Sequence, residues 1–186
     1  MSIYKKIGEI GSRYIGKDKL FKYGFNLSPM YVRSTARIIR VSKDLLQVQI
    51  KLPISYKNKN YVNSIFGGSL YSSVDPIPMG QLISIVGDDY VVWDKSAEIY
   101  FRKPARENLF AEFKYTESEI DEIKRRVKNE NEIDIVKTTY LTNLDKTIVY
   151  CEVKKTIYIA KKSFYKNKKR QQTMAVKQRA NKPNLP

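Results

Sequence analysis

The sequence predicts an α+β domain in which a mainly antiparallel sheet packs on one apolar helix. Period-two alternation recurs between turn signals, as where Leu46, Val48, Ile50 and Leu52 alternate with Gln47, Gln49 and Lys51. A stretch from 68 to 86 spaces Leu70, Val74, Ile77, Leu82, Ile85 and Val86 at helical intervals, and so much apolar surface needs a sheet to sequester it. The chain has 186 residues, 42% of them hydrophobic, enough for the core of one compact domain.

Taken in order, Ile3, Ile7, Ile10 and Tyr14 have the period of a helix over 3–15 with one apolar stripe. A Gly/Lys/Asp break and a mixed stretch follow, to Met30. A hairpin spans Thr35 to Leu52, turning at Ser42, Lys43 and Asp44. A polar, Lys/Asn-rich segment from Ser55 to Val62 leads into the apolar helix, in which Pro76 and Pro78 introduce a break or kink. Two long strands come next. Val91, Trp93, Ala97, Ile99 and Phe101 share one face of the first, so Trp93 is expected in the core, and Leu109, Ala111, Phe113 and Tyr115 share one face of the second. Thr116 and Glu119 form a capping-box pattern ahead of a surface helix over 117–130. Strands over 132–142 and 146–160 complete the sheet, the last with Val149, Cys151, Val153, Ile157 and Ile159 on one face. Three units result: an N-terminal helical segment over 1–29, the sheet domain over 30–160, and a basic tail over 161–186 that is expected to be disordered or only partly helical.

Composition narrows the chemistry. The formal charge is +16, with 35 basic against 19 acidic residues, so anionic partners are favoured. Nine basic residues and no acid lie in the tail, which leaves the body at +7. With no histidine, Ser-His-Asp and Cys-His catalysis and imidazole metal sites are excluded. The single Cys151 excludes an internal disulfide and Cys-rich zinc sites, and its place on an apolar strand face predicts an inert buried thiol. The sequence therefore calls for no metal and no cofactor. The N-terminus lacks a secretory pattern and no run approaches a membrane-spanning length, so a cytoplasmic protein is expected.

The run from Asn60 through Asn63, Phe66, Gly67 and Gly68 to Asp75, with the later strand from Val92 to Pro104, resembles the hotdog-fold thioesterase superfamily. The resemblance is to a branch described as a domain of unknown function and covers residues 30–160. In the phenylacetate-type members an Asn, a Gly and a His-Gly-Gly precede the helix, and an Asp follows seven residues after the last Gly. Asn60, Gly67, Gly68 and Asp75 match that pattern; Asn63 stands at the first Gly and Phe66 at the His. The resemblance implies a curved sheet wrapped around the helix, an acyl-CoA or other acyl-thioester substrate, and a homodimer or dimer of dimers with sites at the subunit interface. By this reading Asp75 activates water, the Gly67 and Gly68 amides hold the oxyanion, and Asn60 orients water or the carbonyl. Asn63, Phe66 and Ser69 would line the substrate, and Arg102, Lys103 and Arg106 would meet coenzyme A phosphates.

Each residue also has a simpler reading. Asp75 precedes Pro76, an N-cap and N1 pair for a fresh helical segment. The glycines suit tight packing, Asn60 and Asn63 suit turns, Ser69 and Ser72 have no base beside them, and the three cations suit a solvated strand end. A non-catalytic acyl-binding protein is the alternative function. Attachment of the tail to nucleic acid or anionic membrane is a third and less favoured one.

Overall fold

In the computed structural model the described residues are 16–180, with side chains described through residue 174. The helix expected over 3–15 lies outside them. The elements are α1 (Lys17–Leu27), α2 (Pro29–Val32), β1 (Arg37–Val41), β2 (Gln47–Leu52), α3 (Gly67–Val74), α4 (Pro76–Val86), β3 (Tyr90–Phe101), β4 (Leu109–Lys114), α5 (Glu117–Glu130), β5 (Glu132–Thr142), β6 (Val149–Lys161) and α6 (Lys162–Ala180). Six antiparallel strands run in the order β1-β2-β4-β5-β6-β3, which leaves β1 and β3 as edges.

The core has two apolar clusters laid end to end along the helix. Leu70, Val74 and Ile77 join Ile38, Val48, Ile50, Phe113, Cys151 and Val153 in the first. Leu82 and Val86 join Ile120, Ile123, Val127, Ile157 and Ile159 in the second. On β6, Cys151 and Val153 thus serve one cluster and Ile157 and Ile159 the other. Lys155 falls on the same face between them, only 2% exposed.

The helix expected over 68–86 is divided at Asp75, because Pro76 and Pro78 cannot donate to the carbonyls four residues back. The path nonetheless stays helical: Asp75 has φ −49° and ψ −55°. Buried side chains meet carbonyls around this break. Tyr31 Oη donates to Ser73 O at 3.0 Å, Tyr115 Oη to Pro78 O at 3.1 Å, and Lys155 Nζ to Asp75 O at 2.6 Å.

Two expectations are corrected and a third is narrowed. The mixed stretch before Met30 contains α1, whose Phe21 and Phe25 lie one turn apart with ring centroids at 4.7 Å; Phe21 is buried in the first cluster. Trp93 is not in the core. The pairing of β3 with β6 shifts register between Asp94 and Ser96, so an extra residue exchanges the two faces of the strand at that point. Ala97 and Ile99 therefore continue the face of Val92 and Asp94, while Trp93 points outward, 37% exposed, and stacks on Tyr158 at 4.8 Å. Of the two expectations for the tail the helical one applies over 162–180: α6 continues directly from β6, its Tyr165 ring meets Trp93 edge-on at 4.9 Å, and Lys168 pairs with Glu132 at 2.7 Å. Those anchors come from elsewhere in the chain, so the tail's composition alone could not reveal them.

Thr116 caps α5 as expected, its Oγ1 accepting from Glu119 N at 3.1 Å, while the Glu119 carboxylate accepts from Lys137 Nζ at 2.8 Å. Cys151 is fully buried, and burial pushes its thiol up to about 11. Among the described residues no helix is long and apolar enough to cross a membrane, and no cluster of three or more Cys, Asp or Glu is placed to hold a metal.

Candidate functional site

Asp75 closes α3 without capping α4, since its side chain makes no cap hydrogen bond. Its Oδ1 instead accepts from Lys155 Nζ at 2.7 Å, and the same amine donates to Asp94 Oδ2 at 2.5 Å and to the Asp75 carbonyl. One buried ammonium thus holds two carboxylates and a helix carbonyl in the seam between the two core clusters. Side-chain exposure rises from 2% at Lys155 to 25% at Asp94 and 38% at Asp75, so Asp75 is the member of the group that solvent reaches most easily. An isolated buried lysine would be very costly, and the two carboxylates are what make this one tolerable.

The surroundings perturb the group. Burial pushes the Asp94 carboxyl up against the pull of Lys155, and the charge of Asp75 adds to the rise. Asp94 Oδ1 is buried and has no hydrogen-bond partner. Burial, followed by the neighbouring Asp75 carboxylate, raises the Tyr71 phenol. Asp75 therefore meets a cation, with the Tyr71 phenol close enough to feel its charge. That environment fixes the direction of the carboxylate while leaving part of it open to water.

The other end of α3 has a different character. Phe66 occupies its N-cap position in extended conformation, and Gly67 and Gly68 open the helix with first-turn amides that have no intrahelical acceptor. The space that the glycines leave is filled by the chain's own aromatic rings: a Cβ at Gly68 would lie 2.3 Å from the Phe66 ring, and one at Gly67 would lie 3.0 Å from Phe101. Asn60 is engaged in its own turn, where its Oδ1 accepts from Val62 N at 3.1 Å and Ser64 N at 3.0 Å. Asn63 stands in the left-handed region, φ 61°, and its amide donates to Asn60 O. The Ser69 amide donates to Phe66 O. Arg102 pairs with Glu152 at 2.7 Å and lies over the Tyr100 ring, while Lys103 and Arg106 are exposed.

The structure therefore brings Phe66, Gly67, Gly68 and Ser69 together but does not bring Asp75 to them within one chain. Eight residues of helix separate Gly67 from Asp75, a rise of about 12 Å. Sequence reasoning missed Lys155 and Asp94. A signal existed for the first, a lone lysine on the otherwise apolar face of β6. Asp94 was hidden by the bulge, which placed it on the wrong face in a strict alternation. The most apolar cleft, about 560 Å³, lies away from this group, between α1, Met30 and Leu45.

A six-stranded antiparallel sheet packed on a central apolar helix is the architecture of the hotdog fold. Solved structures agree on the fold. A Pseudomonas aeruginosa protein of unknown function described as a probable thioesterase superposes with a TM-score of 0.68 at 18% identity, covering 77% of this chain and 95% of that one. A protein of unknown function from Chlorobaculum tepidum gives 0.60 at 15%, with 86% and 94% covered. A mutant thioesterase from Pseudomonas aeruginosa gives 0.57 at 9%, with 76% and 92% covered. No curated protein matches the sequence. The chain belongs to the DUF4442 family, a domain of unknown function, whose profile matches residues 17–159.

Proposed function

We propose that the protein hydrolyses an acyl-CoA or related acyl thioester, with Asp75 as general base. The observation that carries this reading is the Asp75 carboxylate itself, fixed by a buried lysine and still open to solvent at the break in the helix. Asp75 takes a proton from water as the water oxygen bonds to the thioester carbonyl carbon. The oxyanion formed is met by the Gly67 and Gly68 amides, and as the carbon–sulfur bond breaks the thiolate leaves with the proton from Asp75.

Because the two ends of α3 stand about 12 Å apart, the acid and the amides act on one carbonyl only if a second copy supplies one of them. The edge of β3, which has no strand beside it among the described residues, supports a homodimer, with Phe101 57% and Phe66 59% exposed beside it. By the same reading Asn63 and Ser69 lie at the rim of the acyl site, and Lys103 and Arg106 face the coenzyme A phosphates.

The test is thiol release from short, medium and long acyl-CoA esters. Asp75→Asn should abolish turnover in a folded protein, and Phe101→Glu should yield a monomer in light scattering that is also inactive. Equal turnover by Asp75→Asn would overturn the reading. A second reading, acyl binding without turnover, is favoured by the rings that pack over Gly67 and Gly68 and by the engagement of Asn60 in its own turn. It predicts that esters raise the melting temperature and release no thiol.

A further inference from the structure

We propose that the outer face of α6 binds the phosphate backbone of nucleic acid without reading its sequence. The anchors of the helix decide which side faces out. Tyr165 packs on Trp93, Lys168 pairs with Glu132, and the Lys162 amide donates to Asp89 O, so one side of the helix is held to the sheet. Away from that side Lys166 and Arg170 stand exposed four residues apart, with Lys169 exposed on the flank between them and the sheet. Four residues of helix rise about 6 Å, close to every second phosphate of a strand whose charges recur about every 3.4 Å along the axis.

Lys166 and Arg170 also border a cleft of about 620 Å³ whose lining includes Lys161 and Lys162, with Asp89 and Tyr90 at its edge. Lys161 and Lys162 are hydrogen-bonded to backbone carbonyls, which hold the amines in place without cancelling their charge. No acid occurs in the sequence from 161 to the end, so nothing within α6 neutralises these cations.

The composition of the exposed side selects nucleic acid over a membrane surface. A helix that lies on lipid needs a broad apolar face, whereas the exposed residues of α6 over 163–173 are all polar and Met174 alone follows them as a large exposed apolar side chain. The aromatic rings of α6 are turned to the sheet rather than outward, so stacking on bases and discrimination among sequences are not expected.

Fluorescence anisotropy of a labelled duplex of about 20 base pairs, titrated with the full chain from about 50 to 200 mM salt, tests this. Lys166→Glu with Lys169→Glu and Arg170→Glu should weaken binding about tenfold or more at low salt and reduce the salt slope by about three. The same three positions changed to Gln should reduce the slope equally, with the melting curve unchanged. A control with Lys19→Glu, Lys43→Glu and Lys57→Glu removes as much charge from exposed positions elsewhere and should leave the affinity within about threefold. Equal losses in the control would assign the binding to net charge and overturn the proposal. So would absence of duplex binding at low salt, full displacement by equimolar coenzyme A, or preference for phosphatidylserine vesicles over the duplex.

Discussion

The two ends of α3 are built from opposite materials. At its entry Gly67 and Gly68 are covered by Phe66 and Phe101, and the loop before them is a closed system of Asn and Ser turns. At its exit Asp75 meets a buried lysine from a strand eighty residues away in sequence, and through it Asp94. The entry can be disturbed locally, because its contacts come from neighbours and from exposed rings. The exit is tied into the seam of the core, where a missing charge leaves its partners stranded in a poorly solvating place. Conspicuous spacing drew attention to the entry, yet the interactions most sensitive to change are at the exit.

The largest effect should follow from Lys155→Met, which leaves two carboxylates facing each other without their cation. Removing one partner of a buried ion pair costs about 3–5 kcal/mol, to be read as a lower urea midpoint. Adding Asp75→Asn and Asp94→Asn to that variant should recover most of the loss, since the group is then neutral throughout. If Lys155→Met unfolds no earlier than wild type, the contrast between the two ends fails.

Within the entry loop the sharper test compares two asparagines. Asn58 is buried, donates to Thr35 Oγ1 at 2.7 Å and Pro53 O at 2.8 Å, and accepts from Ser55 N at 2.8 Å. Asn58→Ala should cost about 2 kcal/mol by leaving those groups unpaired, against about 1 for Asn60→Ala in the more open turn. Gly68→Ala should cost about 1 kcal/mol, because the Phe66 ring that blocks the new methyl is exposed and can swing away; Phe66→Ala should remove that cost in a thermal melt.

A smaller effect tests the attachment of α6. The Lys168 amine, and then the Tyr158 hydroxyl, hold the Glu132 carboxyl below its usual range. A depressed carboxyl contributes stability that is present above its unfolded value and lost as pH falls through the folded one. Trp93 fluorescence should therefore change below about pH 4.3, the ordinary glutamate value, before the chain unfolds, and the step should vanish in Glu132→Gln. Asp94 works in the other direction. Its raised carboxyl contributes stability that is present below the unfolded value and lost as pH rises through the folded one, so Asp94→Asn should flatten stability above the ordinary aspartate range. Least of all, Cys151 should resist a thiol reagent near pH 8 until the protein unfolds.

Where one face of a strand is buried, alternation alone located the element. The hairpin, the two long strands, the capped helix after Thr116 and the last two strands all stand where the spacing puts them. Apolar density marked the helix between 67 and 86, and the two prolines marked its break. Local chemistry also accounts for the turn roles of Asn60, whose side chain satisfies backbone amides two and four residues on, and of Asn63, which takes the left-handed conformation that Asn tolerates. The motif led to Asp75 but not to its partners. Lys155 and Asp94 lie 80 and 19 residues from it, and nothing in local spacing ties a lysine on β6 to an aspartate on β3.

The sequence by itself determined the order of elements from β1 to β6, the charge, and the exclusion of histidine and disulfide chemistry, because each depends on composition or on neighbours along the chain. Only the tertiary structure decided which way Trp93 faces, what Asp75 touches and whether the basic tail has a docked side. A single bulged residue exchanges the faces of a strand, a buried amine selects its carboxylates through space, and the last helix is held by an edge-on aromatic contact and an ion pair from strands that pack beside it.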